Sequence, residues 1–171
     1  MTVYNPNIFS SSKGDFSTET DEEQYIAGRV GRELVLVCQP DARDDFKLYD
    51  SIVNMVTERV GKRIYSPHED FRDGEFDLEN IVDLTAYRVV PKSKLVLVNL
   101  SVMSPDVRKM FASTTNCRKP FIIFYGEHSK LDKFYHAQIR AHSAYKGEII
   151  YDSEHDAVAQ LEDKIRNVGI N

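Results

Sequence analysis

Leu34-Val35-Leu36-Val37-Cys38 and Leu95-Val96-Leu97-Val98 are near copies of one short apolar run. Neither alternates apolar with polar residues, so neither reads as a strand with one wet face. A continuous run of this length, bounded by turn residues, reads as a strand buried on both faces. Such strands belong to parallel sheets, whose helical crossovers cover both sides. The fold therefore turns on what lies between and beyond these two runs.

Between them, Asp41 to Val60 carries Phe46, Tyr49, Ile52, Val53, Val56 and Val60 at helical spacing, and Gly61 is a stop signal. Arg63-Ile64-Tyr65 predicts a short second strand. Residues 66–77, SPHEDFRDGEFD, read as a polar loop with Pro67 and Gly74 as breakers. Leu78 to Val90 predicts a helix. Beyond the second run, Ser104 to Asn116 predicts another helix, and Phe121-Ile122-Ile123-Phe124-Tyr125 a fourth strand. Leu131 to Ala144 predicts a helix and Glu148-Ile149-Ile150-Tyr151 a fifth strand. Val158, Leu161, Ile165 and Val168 stripe a last helix. Phe121, Phe124, Phe134 and Tyr135 read as core aromatics. The alternation predicts an α/β, three-layer, doubly wound flavodoxin-like sandwich with a five-stranded parallel sheet in the order 2-1-3-4-5. That domain spans residues 33–171. Residues 1–32, rich in Ser, Thr, Asn, Asp, Glu and Gly, read as an N-terminal extension that packs loosely or against a partner.

The chain has 171 residues, 42% of them hydrophobic, and a net charge of −5. That is enough for one core. No long Lys/Arg cluster is present, which argues against nucleic-acid polymers as ligands. No apolar run approaches the roughly 20 residues that cross a bilayer. The first residues lack the basic-then-apolar order of a secretion signal. A cytoplasmic protein without a membrane partner is expected, with Cys38 and Cys117 reduced. No Cys/His cluster has zinc-site spacing, so no metal is expected. Gly28 and Gly31 precede the first strand rather than follow it, so the dinucleotide-binding turn fails.

In a doubly wound sheet, ligands bind beyond the carboxyl ends of the strands, at the switch point. That selects three loops. Ser104-Pro105-Asp106 has a favoured N-cap followed by proline at the first helical position. The free N–H groups there, with Ser101, Ser104 and Arg108, make a candidate cradle for phosphate or carboxylate. The competing reading is a plain helix cap, with Asp106 itself supplying the negative charge. Gln39 and Asp41 follow the first strand, where Gln39 can read a base or sugar edge. They read equally as a turn with Asp41 or Asp44 as N-cap. His68, Glu69, Asp70, Arg72, Asp73, Glu75 and Asp77 crowd the third loop. They offer an acid, a base or a ligand-orienting histidine, or simply a solvated acidic loop. Their spacing is not that of a calcium loop. His136 and Arg140, at i, i+4, read as a solvated face or as an anion contact across a subunit boundary.

LVLVCQPD, IYSPHEDFRDGEF and KLVLVNLSVMSPDVRKMFASTTNCRKPFIIFY, in that order, resemble the nucleoside 2-deoxyribosyltransferase-like superfamily, above all its nucleotide N-glycosidase branch. The resemblance covers residues 33–165. It implies a homodimer or larger homo-oligomer that takes a small nucleoside or nucleotide and cleaves or transfers at its N-glycosidic bond. No cofactor is implied. Ser104 takes the phosphate-binding serine position, and Lys119-Pro120 matches the opening of the fourth strand. Gln39 and His68 would contact sugar or base. The chain departs from the family where its helix carries a catalytic Glu, because Met110 stands there. Cys38-Gln39-Pro40 replaces a Gly-Gly-Pro-type turn. An oxocarbenium-like transition state needs a nearby carboxylate, and Asp41, Glu69, Asp70 and Asp106 are the candidates. The alternative is a noncatalytic nucleotide-binding or protein-interaction member. The same outline of strand, serine loop and helix fits TIR-like domains, which cleave NAD and also use a helix Glu.

Overall fold

A computed structural model describes residues 19–170 of the chain, with side chains from Glu23 onward. The extension expected over residues 1–32 thus lies largely outside the described residues. Five strands, β1 (Leu34–Val37), β2 (Ile64–Tyr65), β3 (Leu95–Asn99), β4 (Phe121–Gly126) and β5 (Tyr145–Tyr151), form one sheet in the order β2-β1-β3-β4-β5. Every pairing is parallel. The protein is an α/β fold of flavodoxin-like order with helices on both faces.

The two copied runs explain the layers. β1 and β3 are neighbours, in register from Leu34↔Leu95 to Val37↔Val98. Successive side chains on a strand point to opposite faces, so the leucines go one way and the valines the other. Leu34, Leu36, Leu95 and Leu97 share a core with α2 (Phe46–Met55) and α7 (Glu154–Val168), through Tyr49, Ile52, Leu161 and Ile165. Val35, Val37, Val96 and Val98 share the other core with α4 (Leu78–Leu84) and α5 (Pro105–Asn116), through Ile81, Leu84, Val107 and Phe111. Each fully buried aliphatic side chain stabilises by about 1.5–3 kcal/mol. Both cores are therefore needed to hold β1 and β3, which have no wet face.

The helices begin where side-chain oxygens meet free amides. Ser104, Asp77, Asp132 and Ser153 accept from the backbone N–H of Val107, Asn80, Tyr135 and Asp156, respectively. α2 runs into a π turn, Val56–Val60, that ends on Gly61 at φ 73°.

The structure corrects several sequence expectations. Residues 66–77 do not form a polar loop throughout, because Pro67–Asp73 is a helix, α3. Pro67 sits at its first position, Glu69 and Asp70 favour its N-terminal dipole, and Gly74 ends it at φ 74°. An acidic composition masked these signals. Phe134 is not core. It stands 83% exposed on α6 (Lys133–Ala141), whose buried residue is Ile139. Tyr135 and Ile139 are four apart and share the inward face, which turns Phe134 outward. The second helix starts later than Asp41, at Phe46, after a 3-10 turn over Arg43–Asp45. The fifth strand starts earlier, at Tyr145.

Residues before β1 are tied to the domain. In α1 (Glu19–Ala27), Ile26 is buried in the valine-side core, and the Tyr25 and Phe76 rings lie 4.5 Å apart. Arg32 Nη1 donates to the Ile64 carbonyl at 2.9 Å. Residues 25–32 therefore pack against the domain.

Candidate functional site

Past β1 the chain runs Cys38-Gln39-Pro40, and past β3 it runs Leu100 to Ser104. These are the two switch-point loops, and one side chain ties them. Ser104 Oγ donates to Gln39 Oε1 while accepting from Val107 N at 3.2 Å. Gln39 Nε2 donates to Asp41 Oδ1 at 2.6 Å and to Asp106 Oδ2 at 2.9 Å. One amide thus bridges the loop after β1 to the first turn of α5. Further along the sheet edge, Ser101 Oγ accepts from Gly126 N at 3.1 Å and lies 3.2 Å from Tyr151 Oη. Ser101 N donates to Asn99 Oδ1 at 2.9 Å. The carboxyl ends of β1, β3, β4 and β5 are joined by this polar seam.

Under the Gln39 bridge lies a crevice of about 60 Å³, lined by Gln39, Ala42, Asp45, Tyr49, Asn99, Ser101 and Val102. Burial raises the Asp45 carboxyl above the usual range, and Asp44 adds to the rise. Burial likewise holds the Tyr49 and Tyr151 phenols protonated. The lining offers two amides, a phenol, a hydroxyl and a carboxylate beside Ala42 and Val102. That combination can orient a sugar and hold a water.

The structure brings Gln39, Asp41, Ser101 and Ser104 together. Arg108 sits on the exposed side of α5, its guanidinium 5.6 Å from the Tyr135 ring centre. His68, Glu69 and Asp70 lie on α3, and none of them lines the crevice. His68 is completely buried between the Phe46 and Tyr49 rings, each 5.3 Å away. Its Nδ1 shares a hydrogen bond with Ser66 Oγ, and its Nε2 lies 2.8 Å from Asp50 Oδ1. Arg72 donates to the same Asp50 carboxylate at 2.9 Å. Burial lowers the His68 pKa, with Asp50 opposing. Asp70 accepts from Tyr65 Oη at 2.8 Å and pairs with Arg29 at 2.9 Å. Glu69 is half-buried, and burial raises its carboxyl. The Cys38 thiol, 3.9 Å from Ser66 Oγ, is pushed up to about 12 by burial.

Met110 is fully buried among the valine-side core residues and does not line the crevice. His136 and Arg140 do share a face, but they spend it on Glu148. His136 Nε2 lies 3.0 Å from Glu148 Oε2, Arg140 Nε donates at 2.6 Å to Oε1, and Tyr125 Oη donates at 2.6 Å to Oε2. Burial alone would raise that carboxyl; the bonds from Tyr125 and Arg140 outweigh it and lower it. A larger groove of about 520 Å³ runs between α2 and α7, with both signs of charge on its walls, from Lys47 and Arg59 to Glu58 and Glu154.

Sequence reasoning missed Asp45, Asn99 and Tyr151, and counted Tyr49 only as core. Asn99 carried a signal: a polar residue closing an otherwise apolar strand at the switch point. Asp45 carried none, because it follows Asp44 in a stretch that reads as a helix start. Among the described residues, no group of three or more His, Cys, Asp or Glu side chains is placed to hold a metal. No helix among them is long and apolar enough to cross a membrane.

In doubly wound sheets, the crevice at the switch point is where ligands bind. No known protein family and no curated protein matches the sequence. Among solved structures, the fold is shared with the CMP N-glycosidase BcmB of Clostridium botulinum. The TM-score is 0.58 at 14% identity, over 75% of this chain and 96% of that one.

Proposed function

We propose that this chain takes a nucleoside or nucleotide at the crevice between β1 and β3 and cleaves or transfers at its N-glycosidic bond, as a divergent member of the nucleoside 2-deoxyribosyltransferase-like superfamily. The observation that carries the reading is the Gln39–Ser104 bridge, which sets an amide and a serine-capped helix start on opposite lips of the switch point. The fold shared with a CMP N-glycosidase supports it. In this reading Ser104 turns its hydroxyl from Gln39 to the ligand's phosphate, and Ser101 and Arg108 flank it. Gln39, once released, meets the sugar or base. At about 60 Å³ the crevice holds roughly two waters. In this reading a nucleotide enters by displacing the Gln39 bridge. Of the carboxylates named from the sequence, Asp41 and Asp106 stand in the bridge, while Asp70 is held by Arg29 and Tyr65 and Glu69 lies near Arg32 and Arg72. His68 supports the crevice from behind by packing on Tyr49.

The test is a thermal-shift screen with nucleosides, nucleoside monophosphates, NAD and ribose 5-phosphate, followed by chromatography for free base. A ligand at a hundred times its dissociation constant adds about 2.7 kcal/mol of stability. Base release that disappears in Ser104→Ala supports the proposal. Stabilisation without release supports the second reading, a noncatalytic nucleotide binder. The burial of Met110, where the family carries its catalytic Glu, favours that second reading.

A further inference from the structure

The reaction proposed above lacks a carboxylate at position 110 of α5, where Met110 stands, so the other acidic side chains near the sheet edge need comparison. Asp41 and Asp106 both accept from Gln39 Nε2. Asp50 is held by His68 and Arg72, Asp70 by Arg29 and Tyr65, and Asp83 by Lys109. Asp45 differs from all of these. It occupies the N-cap place of α2, yet its side chain caps no backbone amide. Among the described residues, no hydrogen bond or ion pair engages its carboxylate. It is half-buried, and it is the one acidic side chain lining the crevice. A carboxylate that gives up solvent without gaining a partner is a cost to the fold.

Resting on the glycosidase reading, we propose that Asp45 is the general base of this site and that Asp41 only positions Gln39. In the step, the bond from C1′ to the base nitrogen breaks and its electron pair leaves with the base, which is protonated from solvent. A water held in the crevice bonds to C1′, and its proton passes to an Asp45 carboxylate oxygen. One water is consumed, and free base and sugar phosphate are formed. The surroundings suit a base. Asp44 on the same turn, Cys38 past β1, Tyr49 on α2 and Tyr151 at the end of β5 are the titratable groups that interact with Asp45. All of these are acids, and burial with Asp44 raises the Asp45 carboxyl. A carboxylate with a raised pKa accepts a proton more readily near neutral pH.

The experiment follows base release by chromatography from cytidine 5′-monophosphate and other ribo- and deoxyribonucleoside 5′-monophosphates, with wild type, Asp45→Asn, Asp45→Glu and Asp41→Asn. Asp45→Asn is expected to lower kcat by a hundredfold or more while keeping the thermal shift given by the nucleotide. The wild-type kcat falls toward acid pH, and that acidic limb is expected to disappear in Asp45→Asn. Asp45→Glu restores part of the rate. If Asp45→Asn keeps the wild-type kcat and the acidic limb, the role of Asp45 is overturned and the glycosidase reading stands. If wild type releases no base from any of these nucleotides, both are overturned. If Asp45→Asn does not fold, Asp41→Asn decides: an acidic limb that survives supports Asp45, and one that vanishes overturns it.

Discussion

His68 combines zero exposure with two ring-nitrogen partners, and this ties its titration to stability. Its folded pKa lies below the ordinary 6.5 because burial penalises the imidazolium. Between that lowered value and 6.5 the unfolded chain binds a proton that the folded chain refuses. Stability therefore rises with pH through this window, is fully present above 6.5, and is lost as the pH falls through the lowered value. Melting temperatures of wild type and His68→Gln, compared from pH 7.5 to 5, should converge as the pH falls. A constant gap would contradict the assignment. Met110 makes the opposite kind of point. Met110→Glu places the glutamate that the proposed superfamily carries, yet the site is fully buried in the valine-side core. An unpaired carboxyl there costs several kcal/mol. The variant should melt well below wild type and gain no base release. Ser104→Ala removes a helix cap and the Gln39 bridge together, and should cost about 1 kcal/mol in urea denaturation.

At the scale of elements, Arg29, just past α1, helps fasten that helix to the domain. Arg29 lies over the Tyr25 ring at 3.8 Å and pairs with Asp70, whose side chain is 4% exposed. Removing the guanidinium leaves that carboxylate buried with only the Tyr65 and Tyr25 hydroxyls. Arg29→Ala should cost about 3 kcal/mol, and amide exchange over residues 23–30 should speed up before the rest of the domain opens. What could be read in advance differed between elements for physical reasons. β1 and β3 were legible because a doubly buried strand writes its environment directly into a continuous apolar run. α5 was legible because Ser104 and Pro105 are local start signals. α3 was not, since its helix depends on three short-range cues inside an acidic stretch that looks solvated. The bridge of Gln39 to Ser104 was half legible: both residues could be placed at the switch point, but their bond spans 65 positions. Asp45 gave nothing away because its importance lies in the partners it lacks.

For the molecule as a whole, two cores clamp one sheet, and truncating either should unfold both. Leu97→Ala on the leucine side and Val107→Ala on the valine side should each lower stability, the first by about 2–5 kcal/mol, in a single cooperative transition. The proposed membership of the superfamily carries the expectation of a homodimer or larger, which sedimentation velocity would read as at least twice the chain mass of 19.7 kDa. The paired runs of β1 and β3 have one more consequence. The four residues of β1 recur in β3, side by side and in register, so each run is a template for the other. During refolding, the exposed run of one molecule finds the matching partner in a second molecule as readily as in itself. Parallel pairing forms late because it joins distant parts of the chain, which leaves both templates open. Recovery from denaturant should therefore fall steeply as protein concentration rises, and rapid dilution should restore it.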